Sequence, residues 1–208
     1  MRKSIDVFRN KKIRVPFFVP DISKSDKLAV MNALNSRMLT DGPQLRKFER
    51  EFAKYTGSKY AVGVSNGTAS LHLALKALGL KKGDEVIIPN ITFVATANSV
   101  LLTGATPVLA DVNYDDMNIS LDSIKQNITS KTKAILPVHI AGKICKMTQI
   151  KKIAKKNNLL LIEDCAHAIG TKLNNKHAGT FGSIGCFSFY PTKNFTTIEG
   201  GMVITNSK

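Results

Sequence analysis

From Lys59 onward, short apolar runs alternate with longer segments whose apolar residues recur at helical spacing. The short runs predict buried strands, and the longer segments predict helices of roughly ten residues. This alternation is typical of an α/β fold, in which a mostly parallel sheet is wrapped by helices. The predicted strands are 60–64, 85–89, 107–111, 134–138, 159–163, 184–187 and 202–205, and the predicted helices among them are 69–78, 92–102, 121–127 and 148–157.

The chain before this alternation predicts an irregular segment and two helices. Pro16 and Pro20 oppose regular structure, so residues 1–23 are expected to be irregular. Ser23 or Ser25 can cap a helix predicted over 24–35. A second helix is predicted over 43–55, where a proline suits the first turn.

Residues 24–208 are expected to form one domain, because no linker, internal repeat or low-complexity segment divides them. The last predicted strand is not followed by a helix that would complete the unit. We therefore expect this domain to be incomplete at its C-terminus.

The overall composition is that of a soluble globular protein, with 43% apolar and 22% charged residues. No apolar run approaches the roughly 20 residues of a membrane helix, and the N-terminus has no apolar core of a secretory signal. The three cysteines are odd in number and lack metal-site spacing, which indicates reduced thiols. The sequence predicts a cytoplasmic protein without a membrane partner.

The formal net charge of +15 raises the question of a polyanionic partner. The lysines are scattered along the chain, and the densest run, 151–156, has the spacing of a solvated helix face. No helix-turn-helix, zinc or aromatic-rich nucleic-acid signature is present. A small substrate carrying a diphosphate would also suit a basic protein, so we expect no nucleic-acid partner.

Two of the predicted strand ends carry residues suited to phosphate or to a ring nitrogen. Asn66-Gly67-Thr68 lies between a strand and a helix, where free amides and the helix dipole bind phosphate. The alternative is an ordinary polar cap. Asp164 follows an apolar strand at the edge where open α/β sheets bind ligands, and it could pair with a protonated ring nitrogen. A helix cap or a structural ion pair would explain it equally well.

Three further residues suggest a cofactor. His167 lacks companion ligands for zinc and could instead bond to a cofactor or serve the fold. Phe93 could stack on a planar ring or belong to the core. Lys193, between two strand-like runs, could be a turn lysine or, if partly buried, a lysine with a lowered pKa that forms a Schiff base. Pyridoxal phosphate (PLP) is the cofactor that uses a phosphate cradle, a ring-nitrogen partner, a stacking aromatic and such a lysine.

From about Pro16 to Thr205 the sequence resembles the DegT/DnrJ/StrS-type sugar aminotransferases, which are PLP enzymes of fold type I. The matching blocks are Thr40-x-Gly42-Pro43 with Phe48-Glu49, Ser65-Asn66-Gly67-Thr68-Ala69, Gly83-Asp84-Glu85-Val86, Pro89-x-x-Thr92-Phe93-Val94-Ala95-Thr96, Gly104-Ala105-Thr106-Pro107-Val108, Glu163-Asp164-x-Ala166-His167-Ala168 and Ser188-Phe189-x-x-x-Lys193. Lys193 also distinguishes the chain from related dehydratases, which carry histidine there.

The resemblance implies a role for each candidate residue. Lys193 would carry the cofactor and move the substrate proton, and Asp164 would keep the ring nitrogen protonated. The remaining roles are phosphate binding by Gly67, Thr68 and Ser188, ring contacts by Phe93 and Ala166 on opposite faces, and a bond from His167 near the ring hydroxyl. The amino group of glutamate or glutamine would pass to a keto group on a nucleotide-linked sugar, in a homodimer.

The chain departs from the family pattern at two places. Ile198 stands where the family usually has a small residue, often glycine, and the smaller C-terminal domain of the family is not represented. Three alternatives therefore remain: another reaction on the same cofactor, a truncated and inactive chain acting as a binding or regulatory protein, and a polyanion binder.

Overall fold

The computed structural model describes residues 18–207, and all structural statements below concern that range. Fifteen helices and strands follow one another in it, together with a single 3-10 turn at Ile140–Gly142. The helices are α1 (Lys24–Leu34), α2 (Pro43–Thr56), α3 (Gly67–Ala77), α4 (Ala95–Leu101), α5 (Leu121–Gln126) and α6 (Met147–Lys156). The strands are β1 (Tyr60–Val64), β2 (Glu85–Pro89), β3 (Thr106–Ala110), β4 (Thr132–Ile135), β5 (Leu160–Asp164), β6 (Lys172–Leu173), β7 (Lys176–His177), β8 (Ile184–Ser188) and β9 (Gly201–Thr205).

Seven of these strands form one sheet in the order β1-β9-β8-β5-β4-β2-β3. The pairs from β8 through β5, β4 and β2 to β3 are all parallel. Strand β9 runs antiparallel to both of its neighbours, β1 and β8. The α/β fold with a mostly parallel sheet, predicted from the sequence, is confirmed.

Strand β2 shows why the sheet needs helices on both faces. Val86 and Ile88 pack in a cluster with residues of α3 and α4. Ile87, between them, packs in a second cluster with residues of α5 and α6. Because successive side chains of a strand point to opposite faces, this continuous apolar run is buried on both sides. The arrangement leaves the strand ends to carry polar side chains.

The first two helices form where their termini are satisfied locally. The Ser23 hydroxyl accepts from the Asp26 amide, and the Asp26 carboxylate accepts from the Ser23 amide, so a capping box begins α1. No residue of α1 is buried. Helix α2 begins at Pro43, ends before Gly57 at φ 75°, and buries Phe52 against Phe187 of β8.

Two predicted elements differ from the structure, and one observed hairpin has no predicted counterpart. The predicted strand 134–138 is Thr132–Ile135, and Val138 instead makes an isolated parallel bridge to Asp164. The predicted helix from residue 92 begins at Ala95, because the preceding residues form a turn. The β6–β7 hairpin was not predicted, since two-residue strands carry no alternation long enough to be recognised.

The predicted irregular segment 1–23 is covered in part. Residues 1–17 lie outside the described residues, and residues 18–23 contain no helix or strand. In residues 18–207, none of the helices combines the length and apolar composition needed to cross a bilayer.

Candidate active site

A cleft of about 490 Å³ opens at the carboxyl ends of β1, β2, β4, β5 and β8. Chain segments that leave these five strand ends supply its lining, as expected for an open α/β sheet. All eight predicted site residues line this one cleft: Gly67, Thr68, Phe93, Asp164, Ala166, His167, Ser188 and Lys193. The structure therefore brings together residues spread over 127 positions of sequence, from Gly67 to Lys193.

One wall of the cleft is the N-terminus of α3. The Asn66 side chain caps this helix by accepting from the Ala69 amide at 2.8 Å. The first amides of a helix have no partner within it, and the dipole makes this end positive. Gly67 packs so closely against Ser188 that a β-carbon on Gly67 would lie 2.7 Å from the Ser188 β-carbon. The wall is thus a compact cradle of amides and hydroxyl groups, suited to a phosphate.

The Asp164 carboxylate lies at the floor of the cleft, and the residue is only 5% exposed. Its Oδ1 accepts from the Ala166 amide at 3.1 Å, and its Oδ2 accepts from the Thr96 hydroxyl at 3.0 Å. The Asp164 backbone is held as well, by bonds to Pro137 and His139. An ion pair does not explain this carboxylate, since both of its hydrogen bonds come from neutral groups. A helix cap does not explain it either, because the next element after Asp164 is the short strand β6 and not a helix.

His167 is half-buried beside Asp164 and Lys193. Burial lowers its pKa, the positive charge of Lys193 lowers it further, and Asp164 opposes both effects. Its Nδ1 accepts from the Ala141 amide at 3.3 Å, so the neutral ring carries its proton on Nε2. His167 can therefore act as a hydrogen-bond donor in the cleft.

Lys193 is half-buried in the loop between β8 and β9. Burial lowers its pKa from the ordinary lysine value, and Asp164 acts in the opposite direction through its negative charge. A lowered pKa increases the fraction of neutral amine, which is the nucleophilic form. This loop also contains Ile198 at φ 71°, a conformation that glycine adopts freely and a β-branched residue does not.

Phe93 and Ala166 complete the predicted contacts. Phe93 is 71% exposed although it lines the cleft, so it is not part of the core. Its ring is free to cover a planar molecule lying in the cleft. Ala166 is half-buried immediately after the Asp164–Cys165 segment, where a small side chain leaves room.

Several cleft residues were missed in the sequence analysis, among them Thr92, Thr96 and Glu199. Thr92 and Thr96 lie four residues apart, a spacing that places two side chains on the same side of a helical turn. The available signals were that spacing and the place of both residues in the block 89–96 that resembles the family. Glu199 lies in an irregular loop and offered none.

A buried cluster supports the floor of the cleft from behind. Glu163 and His139 are both fully buried, with His139 Nε2 3.1 Å from Glu163 Oε2. Glu163 also accepts three backbone amides, from Gly179 at 2.8 Å and from Phe181 and Gly182 at 2.7 Å. Cys165 lies close enough to make a three-ligand metal set geometrically conceivable. The Glu163 oxygens, however, are already used as hydrogen-bond acceptors.

The three cysteines are free and buried. Burial raises the pKa of each thiol, and Cys165 and Cys186 are completely enclosed. A protonated, enclosed thiol is a poor nucleophile. Lys193 is therefore the better candidate nucleophile at this site.

The residues present fit PLP. The α3 cradle suits its phosphate, Asp164 offers a carboxylate oxygen for a protonated ring nitrogen, and Lys193 offers an amine for its aldehyde. The cleft volume lies within the usual range for small-molecule sites, about 300–1,000 Å³. Both the binding groups and the volume of the cleft therefore suit PLP.

Comparison with known proteins gives the same cofactor. A Streptococcus pneumoniae protein described as a sugar aminotransferase (Spr1654), in its PLP form, superposes with a TM-score of 0.91 at 32% identity, over 94% of this chain and 54% of that one. A GDP-4-keto-6-deoxymannose-3-dehydratase, ColD, with bound GDP-perosamine, superposes with a TM-score of 0.89 at 34% identity, over 93% of this chain and 52% of that one.

Among sequences, GDP-perosamine synthase of Escherichia coli O157:H7 is 47% identical over 93% of this chain and 54% of that protein. The chain thus spans about half the length of the relatives it matches. The model of the DegT/DnrJ/EryC1/StrS aminotransferase family matches residues 20–208. The sequence predictions of an enzyme family, of PLP as its cofactor and of the fold type are confirmed, and the chain belongs to the DegT/DnrJ/EryC1/StrS aminotransferase family.

Proposed function

We propose that this chain is the cofactor-binding part of an enzyme that transfers an amino group to a keto group on a nucleotide-linked sugar. The observation that carries the proposal is the meeting of Lys193, Asp164 and the α3 amide cradle in one cleft. When bound, PLP supplies an electron sink for bonds broken at the amino carbon. The protein must hold it, orient it and move protons.

The cradle residues would bind and fix the cofactor. The amides of Gly67 and Thr68 and the hydroxyl groups of Thr68 and Ser188 offer donors to the phosphate. Phe93 would cover one face of the ring, and Ala166 would lie against the other. These contacts would keep water from both faces of the ring.

Asp164, His167 and Lys193 would handle protons. Asp164 would accept a hydrogen bond from the ring nitrogen and so hold the proton there. His167 would donate its Nε2 proton to the ring hydroxyl oxygen, since its Nδ1 is already occupied. Lys193 Nζ would bond to the cofactor and, once displaced by the donor amine, carry the proton between the substrate carbon and the cofactor.

The proposed substrate is supported by similarity to relatives, and the proposed amino donor and assembly are based on the family resemblance. The E. coli relative is a GDP-perosamine synthase and the ColD structure holds GDP-perosamine, which supports a nucleotide-linked keto-sugar as acceptor. Glutamate or glutamine as amino donor and a homodimer follow from the family pattern. The three free cysteines support a reducing compartment such as the cytoplasm.

The test measures both half-reactions with the chain and added PLP. Glutamate should yield 2-oxoglutarate, and GDP-4-keto-6-deoxymannose added next should yield a GDP-linked amino sugar, both followed by mass spectrometry. Lys193→Ala should abolish both products, whereas Lys176→Ala, a lysine lying over the Phe181 ring, should abolish neither. PLP bound to Lys193 without either product would contradict aminotransfer by this chain on its own and would favour a binding or regulatory role for it.

A further inference from the structure

The hydroxyl groups of Thr92 and Thr96 form two consecutive hydrogen bonds that end on the Asp164 carboxylate. Thr96 Oγ1 lies 3.0 Å from Asp164 Oδ2, and Thr92 Oγ1 lies 2.8 Å from Thr96 Oγ1. Thr96 is 1% exposed, so its hydroxyl has been removed from water. Thr92 is half-buried and lines the cleft. The bond between Thr96 and Asp164 joins elements 68 residues apart in sequence.

The Asp164 carboxylate fixes the direction of both hydrogen bonds. A carboxylate oxygen only accepts, so the Thr96 proton must point to Asp164. The Thr96 oxygen is then available to Thr92 only as an acceptor, and the Thr92 proton points to Thr96. Hydrogen bonds aligned in one direction polarise and strengthen one another.

The other Asp164 oxygen is held by a residue that lies close to it in sequence. Oδ1 accepts from the Ala166 amide, which belongs to the loop after β5. Thr96 belongs to the start of α4, after β2. With one oxygen bonded to each element, the plane of the carboxylate is set by the two bonds together. Loss of the Thr96 bond would leave the carboxylate held only at Oδ1, so that its plane could rotate about the Cβ–Cγ bond.

The same turn carries the exposed aromatic ring of the cleft. The Thr96 amide donates to the Phe93 carbonyl at 3.0 Å, which closes the turn formed by residues 93–96. Thr96 therefore contacts Asp164 with its side chain and Phe93 with its backbone. The acid at the floor of the cleft and the ring at its mouth are connected through one residue.

We infer that Thr96 is a positioning residue which, with Thr92 behind it, orients the Asp164 carboxylate toward the ring nitrogen of PLP. The inference rests on the proposed function, because it assigns Asp164 to that nitrogen. Thr96 is assigned this role through its hydrogen bond to Asp164, and not through a bond to PLP.

The variants are Thr96→Val, Thr96→Ser and Thr92→Val, with Thr103→Val as matched control. Thr103 is likewise buried, but its hydroxyl bonds to the Val100 carbonyl and the Ala105 amide, away from the cleft. The readouts are the PLP dissociation constant by absorbance titration, the ¹⁵N chemical shift of labelled PLP, and the carboxyl ¹³C shift of Asp164 in the cofactor-free chain.

Thr96→Val should weaken PLP binding about tenfold or more, since a hydrogen bond to a charged group is lost. The ¹⁵N resonance should move toward the unprotonated ring, and the Asp164 ¹³C shift should change. Thr96→Ser should restore all three, Thr92→Val should change them in the same direction by less, and Thr103→Val should change none.

Thr96→Val behaving like Thr103→Val, or Thr96→Ser failing to rescue, would overturn the inference. If Thr96→Val does not fold, unaltered shifts in Thr92→Val would overturn it instead. If the wild-type chain does not bind PLP, the proposed function fails on its own, and the Asp164 ¹³C shift in the cofactor-free variants still decides whether Thr96 positions Asp164.

Discussion

A β-carbon on Gly67 would lie 2.7 Å from the β-carbon of Ser188 and 3.1 Å from its hydroxyl oxygen. The first residue of α3 and the last residue of β8 therefore touch through the one position that has no side chain. This contact brings the helix N-terminus against the strand end that leads into the Lys193 loop. The amide cradle depends on it.

We expect Gly67→Ala to weaken PLP binding by about tenfold or more, equivalent to ~1.4 kcal/mol. Alanine favours a helix over glycine, so any loss must come from the forced separation of α3 and β8. Overpacking of this kind costs about 1–3 kcal/mol in stability. Titration of PLP absorbance and urea unfolding measure the two effects.

The control for this substitution is Gly79→Ala. Gly79 has φ 83° with no atom near the added β-carbon, so alanine strains the backbone far from the cleft. Gly79→Ala should lower stability while leaving the PLP dissociation constant unchanged. Equal PLP affinity in the two variants would show that the close contact does not shape the cradle.

Lys193 should titrate below an ordinary lysine. Burial lowers its pKa, so the neutral amine is populated at lower pH than in a solvated lysine, whose pKa is about 10.4. NMR of ¹³C-labelled lysine in the cofactor-free chain, with the resonance assigned from Lys193→Ala, measures this directly. The rate of PLP capture should rise with pH through the same midpoint and then level.

Asp164→Asn should lower the Lys193 pKa further. The negative charge of Asp164 stabilises the ammonium form, so its removal leaves burial unopposed. A Lys193 resonance that titrates at the ordinary lysine value in wild type, or that moves upward in Asp164→Asn, would be incompatible with the half-buried position beside Asp164.

Glu163→Gln should be strongly destabilising, by about 3 kcal/mol or more. The Glu163 carboxylate accepts from His139 and three backbone amides, and the amide group of glutamine would direct donor hydrogens at some of these donors. Urea unfolding should show a lower midpoint. Glu51→Gln, at an exposed carboxylate of α2, is the matched control and should leave the midpoint unchanged. Equal midpoints for the two variants would show that the buried cluster does not anchor the floor of the cleft.

The sequence predicted those features that repeat over several residues or lie next to one another. The seven strands of the main sheet follow from apolar runs, and the Asn66 cap follows from a polar residue before a helix. The bond from Thr96 to Asp164 and the pair His139–Glu163 could not be predicted, because they join residues 68 and 24 positions apart and depend on strand order. The turn before Ala95, at residues 92–94, contains no glycine or proline that would mark it, and it was missed for that reason.

The site residues were predicted partly by position and partly by resemblance. Asp164 follows a recognisable buried strand, whereas the partial burial of Lys193 depends on a loop whose path the sequence does not reveal. The positive φ of Ile198 agrees with the glycine usual in the family at that position. Chemistry at strand ends was therefore accessible from the sequence, and chemistry within loops required the structure.

The proposed function requires that Lys193 bonds covalently to PLP. The chain should be incubated with PLP, reduced with borohydride, digested and mapped by mass spectrometry. We expect the phosphopyridoxyl mass on the peptide containing Lys193 and its absence in Lys193→Ala. A folded sample that carries this mass on a different lysine, or on none, would contradict the account.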